Sequence, residues 1–165
     1  TFDLHALLDE VLIVCLPLVE RKDNVLEIDV PADIGTIHAD MVKLRQILVN
    51  LLGNAAKFTT RGRVKLSVRR EAALPEEEAT STTWLRFRVS DTGIGMEPAE
   101  VNRIFEAFAQ ASAKTARTYG GTGLGLTVSR SFCQMMGGRI EVESQAGRGS
   151  IFTVHLPAVV PPMRG

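Results

Sequence analysis

Amide and ammonium side chains at helical spacing set one stretch of the sequence apart. Gln46, Asn50, Asn54 and Phe58 follow at intervals of four residues, and Lys57 comes three after Asn54. Residues four apart lie one above the next on an α-helix, so these side chains are predicted to share a face. Asn prefers caps and turns, so two in a helix interior require a reason. An amide oxygen can coordinate a hydrated divalent cation that binds phosphates, although both Asn could instead simply face solvent.

A first glycine pair follows a predicted strand. Asp91 ends that strand, and Gly93 and Gly95 permit a tight turn and close approach to a ligand. The Asp91 carboxylate could accept a hydrogen bond from an exocyclic amine, which would favour adenine over guanine. An ordinary Asp-Thr-Gly turn is the alternative.

A second glycine cluster, at residues 120–126, opens a predicted helix. Alternating glycines there expose amide groups, and the helix dipole adds positive potential, so a phosphate site is predicted. The segment lacks the Gly-Lys-Ser/Thr of a P-loop, and its spacing differs from the Rossmann fingerprint. The small, polar stretch before it carries Lys114 and Arg117, which is typical of a lid that closes on substrate, although a plain surface loop would read the same.

Amphipathic helices and alternating strands are predicted to position these groups. One helix spans about residues 3–22, with Pro17 expected to kink it or end it early. A second begins after an Asp40 N-cap, and a short one spans 97–106. A last one runs to about Met136, and its apolar pattern consists of Leu124, Leu126, Val128, Phe132 and Met135. Strands are predicted at 25–30, 34–38, 64–68 and 84–89, with a solvated loop at 72–83 and a final hairpin of 139–144 and 149–156.

Composition narrows the class of protein. The 165 residues suit one domain, and 19 basic against 19 acidic residues give no basic field for nucleic acid. No apolar run reaches membrane-spanning length, and no signal peptide opens the chain, so a cytoplasmic domain without membrane contact is expected. Cys15 and Cys133 are predicted to be buried free thiols.

Four stretches together, in this order, resemble the catalytic ATP-binding domain of sensor histidine kinases, within the gyrase/Hsp90/histidine kinase/MutL superfamily. Residues 50–59 resemble its N box, 91–95 its first glycine box, 105–108 its F box and 121–126 its second glycine box. The resemblance implies an α/β two-layer sandwich of the Bergerat type. Its mixed, mostly antiparallel sheet would carry three main helices on one face and a flexible ATP lid. The domain would span residues 1–158, with a Pro-rich linker or tail at 159–165.

The resemblance also implies cofactors and site residues. ATP or ADP and Mg²⁺ would be bound, with Asn50, Asn54 and Lys57 as catalytic residues near the phosphates and Asn54 also as the metal ligand. The expected nucleotide-binding residues are Phe58, Asp91, Gly93, Gly95, Lys114, Arg117, Gly121, Thr122, Gly123, Leu124 and Gly125.

Two departures refine the functional expectation. ATPase members of the superfamily carry a water-activating Glu where this chain has Asn50, and an amide is no base, which favours a kinase over a gyrase-type ATPase. No acceptor-His box occurs here. The phosphoacceptor would then lie on an upstream dimerisation domain, with a response-regulator receiver domain as a further partner. The isolated domain is expected to be a monomer and the full-length protein a homodimer, either soluble or membrane-anchored. A regulatory nucleotide-binding module without phosphotransfer remains an alternative.

Overall fold

The computed structural model describes residues 1–72, 83–103 and 124–159. The predicted loop at 72–83 lies largely outside this part of the chain. So do the F box, the predicted lid with Lys114 and Arg117, and Gly121, Thr122 and Gly123. The described elements, in chain order, are β1 (Phe2–Asp3), α1 (Leu4–Glu20), β2 (Val25–Asp29), β3 (Thr36–Ile37), α2 (Met41–Phe58), β4 (Arg63–Ala72), β5 (Thr83–Asp91), α3 (Pro98–Arg103), α4 (Leu124–Met135), β6 (Arg139–Gln145) and β7 (Gly149–Pro157).

A five-stranded sheet in the order β2-β4-β5-β7-β6 forms one layer. β2 runs parallel to β4, and every other neighbouring pair is antiparallel. On β5, Leu85, Phe87 and Val89 are buried toward the helices, whereas Arg86 and Arg88 point to the other face. α1, α2 and α4 cover the buried face. The predicted α/β two-layer sandwich, with a mixed, mostly antiparallel sheet, is confirmed.

α2 forms as its sequence predicts. The Asp40 carboxylate accepts the Lys43 amide at 3.1 Å, which satisfies one of the orphan donors at the helix N-terminus. The predicted apolar stripe is buried throughout. Its members are Leu44, Ile47, Leu48, Leu51, Leu52 and Ala55. The helix ends at Phe58, since Thr59 adopts an extended backbone with φ −120° and ψ 137°.

α1 differs from expectation at Pro17. The helix continues through Pro17 to Glu20, and the Arg21 amide still donates to the Pro17 carbonyl at 3.1 Å. Pro17 removes only the amide that would bond the Ile13 carbonyl. Ile13 is 76% exposed, so water can reach that part of the helix surface. The expectation of an early end was therefore wrong.

α4 buries only part of its predicted apolar set. Leu126 is buried and Phe132 packs against the core, whereas Val128 and Met135 are exposed. The other buried residues of this segment are Ser129, Cys133 and, just after the helix, Met136. The Gly138 amide closes the helix on the Cys133 carbonyl at 2.8 Å, as the Gly137-Gly138 pair predicts. Cys15 and Cys133 are buried free thiols, and burial raises their pKa values to about 11 and about 12.

The ends of the fold are tied together by short pairings that sequence patterns did not predict. β1 pairs with β3, and the His38 amide donates to the Ala158 carbonyl at 2.9 Å. Val159 forms a bridge with His38, one residue beyond the expected domain boundary. Within the described residues, no helix combines the length and apolarity needed to cross a membrane.

Candidate functional site

The end of α2 lies directly against the turn that follows β5. The Ile94 amide donates to the Phe58 carbonyl at 3.2 Å. A Cβ atom on Gly93 would stand 2.2 Å from that same carbonyl oxygen, so only glycine fits. This contact brings two predicted site residues, Phe58 and Asp91, to one place.

Gly95 is required for a second close approach. It has a φ of +66°, and a Cβ there would lie 2.0 Å from the Gln145 carbonyl oxygen. The Gly147 amide donates to the Ile94 carbonyl at 2.7 Å, so the β6–β7 turn braces the loop from the other side. Packing within the protein therefore requires glycine at positions 93 and 95, in addition to the close approach to a ligand that their spacing predicts.

Asp91 presents a desolvated carboxylate at this junction. Burial raises its pKa, while hydrogen bonds from the Gly93 and Ser150 amides, together with the nearby Thr59 hydroxyl, lower the pKa by a smaller amount. The Gly93 amide donates to Oδ1 at 2.8 Å. No basic side chain in the described ranges pairs with this carboxylate. It therefore retains acceptor capacity for a neutral donor such as the amine of adenine.

Asn50 ties α2 to the start of α4. Its Nδ2 donates to the Gly125 carbonyl at 3.1 Å and to the Ser129 hydroxyl at 3.2 Å. The Ser129 hydroxyl in turn donates to the Gly125 carbonyl at 2.8 Å. The Asn50 Oδ1 accepts from Gln46 Nε2 at 2.7 Å. Both ends of the Asn50 amide are thus engaged within the protein, and they hold the second glycine turn against α2.

Asn54 and Lys57 lie on α2 between the contact of Asn50 with Gly125 and the contact of Phe58 with Ile94. Asn54 lies one turn beyond Asn50, and both side chains are half-buried. The described structure gives neither side chain a hydrogen bond or ion pair. An amide oxygen and an ammonium group are therefore left available along the helix, between the Gly125 end and the Asp91 end.

The spacing of these groups suits an extended ligand with a base at one end and phosphates at the other. Asn50 and Phe58 are eight residues apart on α2, a separation of about 12 Å at the helical rise. Leu124, predicted as a cofactor residue, begins α4 next to Gly125. The described residues hold no group of three His, Cys, Asp or Glu side chains that could bind a metal. A Mg²⁺ ion held by Asn54, phosphate oxygens and water fits this donor set, because Mg²⁺ keeps several waters and is bound through few protein groups.

A groove of about 490 Å³ lies at the same end of the sheet but on its other face. Its floor includes one row of paired residues: Glu27, Lys65, Ser90, Ile151 and Glu143. These residues alternate with the ones that face the helices. The groove reaches Asp91 at the end of β5, but its lining carries both signs of charge and includes neither Asn54 nor Lys57, so it is distinct from the predicted phosphate end of the site.

Two contributors were missed from the sequence. Ser129 is a fully buried polar residue on an otherwise apolar helix face, four residues after Gly125, and that spacing was the available signal. Thr59 is also fully buried beside Gly93, and nothing in the local pattern distinguishes it from a residue that ends a helix.

Comparison with known proteins gives a family. Residues 39–160 match the model of the histidine kinase-, DNA gyrase B- and HSP90-like ATPases. The chain is 39% identical to the autoinducer 2 sensor kinase/phosphatase LuxQ of Vibrio vulnificus over 86% of its own length and 16% of that protein's. It is 37% identical to the signal transduction histidine-protein kinase BarA of Escherichia coli, over 94% of this chain and 16% of BarA.

Comparison with solved structures leads to the same family. Full-length ShkA in complex with AMPPNP superposes with a TM-score of 0.77 at 34% identity, covering 99% of this chain and 31% of ShkA. The catalytic domain of the histidine kinase ThkA shares the fold, with a TM-score of 0.74 at 23% identity, over 96% of this chain and 94% of that domain. The chain thus spans about a sixth of its curated relatives but nearly all of an isolated catalytic domain. It belongs to the histidine kinase-, DNA gyrase B- and HSP90-like ATPase family, as a nucleotide-binding catalytic domain of the sensor histidine kinase type.

Proposed function

We propose that this domain binds ATP with Mg²⁺ and transfers the γ-phosphoryl group to a histidine on a helical hairpin elsewhere in its parent protein. The observation that carries the proposal is the arrangement along α2. The Asn54 and Lys57 side chains have no polar partner among the described residues, and they lie between the Gly125 turn and the Asp91 carboxylate. The kinase names of the relatives and the AMPPNP bound to ShkA support the same reaction class.

At the base end, Asp91 would accept a hydrogen bond from the exocyclic amine of adenine. Guanine presents a carbonyl oxygen at that position, which would face the carboxylate without a proton between them. Phe58 would contact the base from the end of α2. Gly93 and Gly95 shape the turn by allowing the backbone to approach its neighbours closely.

At the phosphate end, Lys57 would neutralise negative charge and Asn54 would supply one oxygen to Mg²⁺. The bound cation supplies charge neutralisation for phosphoryl transfer. The Asn50–Ser129 hydrogen bonds hold Gly125 and the N-terminus of α4 in place, so that their amides and the helix dipole can face phosphate. Gly121, Thr122, Gly123, Lys114 and Arg117 stay predictions for this end of the site, because they lie outside the described residues.

The chemistry of Asn50 favours transfer over hydrolysis. Its amide is not basic, its nitrogen donates twice within the protein, and its oxygen accepts from Gln46. It therefore has no means of taking a proton from water. A bound triphosphate would be kept for a better-placed acceptor. In the full-length protein we place that acceptor on an upstream dimerisation domain, with a response-regulator receiver domain as the next partner.

The test mixes this chain with the separately produced acceptor hairpin of its parent protein and γ-labelled ATP. Acid-labile, base-stable label on the hairpin is expected, and it should disappear when the acceptor histidine is replaced by Gln. An Asn54→Ala variant should abolish transfer as well. Nucleotide binding without any transfer would instead support a regulatory nucleotide-binding module, and absence of ATP binding would refute both.

A further inference from the structure

Thr59 occupies an unusual place at the base end of the site. It is the first residue after α2, with an extended backbone, and it is fully buried. The Asn24 side chain fixes its backbone, because Nδ2 donates to the Thr59 carbonyl at 2.8 Å while Oδ1 accepts from the Gly62 amide at 2.9 Å. These two hydrogen bonds hold the backbone at Thr59 and so fix the direction of its side chain.

The Thr59 hydroxyl lies where the end of α2 meets the turn after β5, next to the Asp91 carboxylate. Its oxygen would be 2.7 Å from a Cβ on Gly93, the residue whose amide holds Asp91 Oδ1. It lies close enough to lower the pKa of Asp91, yet it completes no hydrogen bond in this structure. A buried hydroxyl without a partner is destabilising, and an apolar group of the same shape would avoid that cost. Packing therefore does not explain a hydroxyl at this position, and the polar group that it approaches is the Asp91 carboxylate.

We propose that Thr59 is a positioning residue for adenine recognition, whose buried hydroxyl donates to the Asp91 carboxylate when that carboxylate accepts the amine of the base. This inference rests on the proposed nucleotide function. The Gly93 amide and the Thr59 hydroxyl would then hold Asp91 from the protein side and leave its remaining acceptor capacity for the base. A charged hydrogen-bond acceptor held by several donors keeps both its ionisation and its orientation.

The experiment measures thermal stability and calorimetric affinity of this chain for two nucleotides. One is ATP, and the other is purine riboside triphosphate, which has hydrogen in place of the amine. Thr59→Val removes the hydroxyl and keeps the shape, whereas Thr59→Ser keeps the hydroxyl. We expect Thr59→Val to melt no lower than wild type, to bind ATP about tenfold more weakly, the equivalent of about 1.4 kcal/mol, and to bind the amine-free nucleotide as wild type does. Thr59→Ser should preserve the preference for ATP.

Thr92→Val is the matched control. The Thr92 hydroxyl accepts the Arg63 amide at 2.9 Å and is part of the neighbouring turn, so its loss should lower stability without changing the preference between the nucleotides. Equal loss of both nucleotides in Thr59→Val, no loss of either, or failure of that variant to fold would each overturn the inference. Thr59→Ser behaving as Thr59→Val would do the same. If wild type bound neither nucleotide, the proposed function itself would fail, which is a distinct result.

Discussion

Replacing Asn50 by Ala should loosen α4 from α2 and cost measurable stability. The change removes two partly buried hydrogen bonds, to Gly125 and Ser129, and one exposed bond from Gln46. Neutral bonds contribute about 0.5–1.5 kcal/mol each, so the buried pair accounts for about 1–3 kcal/mol. The better helix propensity of Ala offsets up to about 0.7 kcal/mol of this. A net loss of about 1–2 kcal/mol follows, which shifts the melting temperature by about 3–8 °C for a chain of this size.

Two comparison variants sharpen this prediction. Gln46→Ala removes only the exposed bond and should lie within about 0.5 kcal/mol of wild type. Asn50→Asp keeps the acceptor for Gln46 but loses both donors and sets a carboxylate against the Gly125 carbonyl. It should therefore be at least as destabilising as Ala.

Urea denaturation at constant m-value measures these differences, and a double-mutant cycle with Ser129→Ala tests the network directly. Because both side chains donate to the Gly125 carbonyl, and Asn50 Nδ2 also donates to the Ser129 hydroxyl, their effects should not add. ATP affinity should fall in Asn50→Ala, since the start of α4 is no longer held. The reasoning is refuted if Asn50→Ala is as stable as wild type, or if Gln46→Ala costs as much.

Further outcomes are expected for variants of the site and for the isolated domain. Asn54→Ala should lose the part of ATP affinity that depends on Mg²⁺, and titrations in EDTA should show little difference from wild type. Gly93→Ala should destabilise the fold by about 1–3 kcal/mol, because its Cβ would overlap the Phe58 carbonyl oxygen; Gly53→Ala, with nothing within 4 Å, should stabilise α2 by about 0.5–1 kcal/mol. Asp91→Asn should weaken ATP binding yet gain stability at neutral pH. Burial raises the Asp91 pKa above 3.8, so the folded state holds that proton more tightly than the unfolded state. The stability advantage of the Asn variant should then shrink as the pH falls through the raised pKa, and a constant advantage would contradict this account. The isolated domain should release phosphate from ATP more slowly than about 1 per second, and faster steady-state release would reveal a base that Asn50 does not provide.

Local periodicity was enough to predict the elements that carry the site. The Asp40 cap, the apolar stripe of α2 and the polar row from Gln46 to Phe58 depend on residues three or four apart, so they could be derived before any fold was known. The same holds for the antiparallel β4–β5 and β6–β7 pairs, whose alternation places apolar side chains on one face. The family resemblance came from short boxes in a fixed order, and their order is a property of the chain alone.

Periodicity was a weaker guide where tertiary contacts determine which face of a helix is buried and which strands pair. α4 has apolar residues on more than one side, and only packing against α2 and the sheet decided that Cys133 and Met136 are buried while Met135 is exposed. The parallel β2–β4 pair and the β1–β3 pair likewise join segments whose partners are not set by local pattern. Pro17 was misjudged because the cost of a lost helical bond depends on solvent access to the freed carbonyl.

The roles of individual site residues depended most on the fold. Asn50 and Ser129 are 79 positions apart, and no pattern in either segment indicates that they share the Gly125 carbonyl. Gly93 was predicted to bring backbone near a ligand, and the structure adds a packing reason that no local pattern indicates, since a Cβ there would overlap the Phe58 carbonyl oxygen at the end of α2. The sequence by itself determined which chemical groups each element presents, because side-chain direction repeats with the backbone. Only the tertiary structure decided which of those groups are already satisfied by the protein and which are left for a ligand, because hydrogen bonds between distant segments depend on where packing places them.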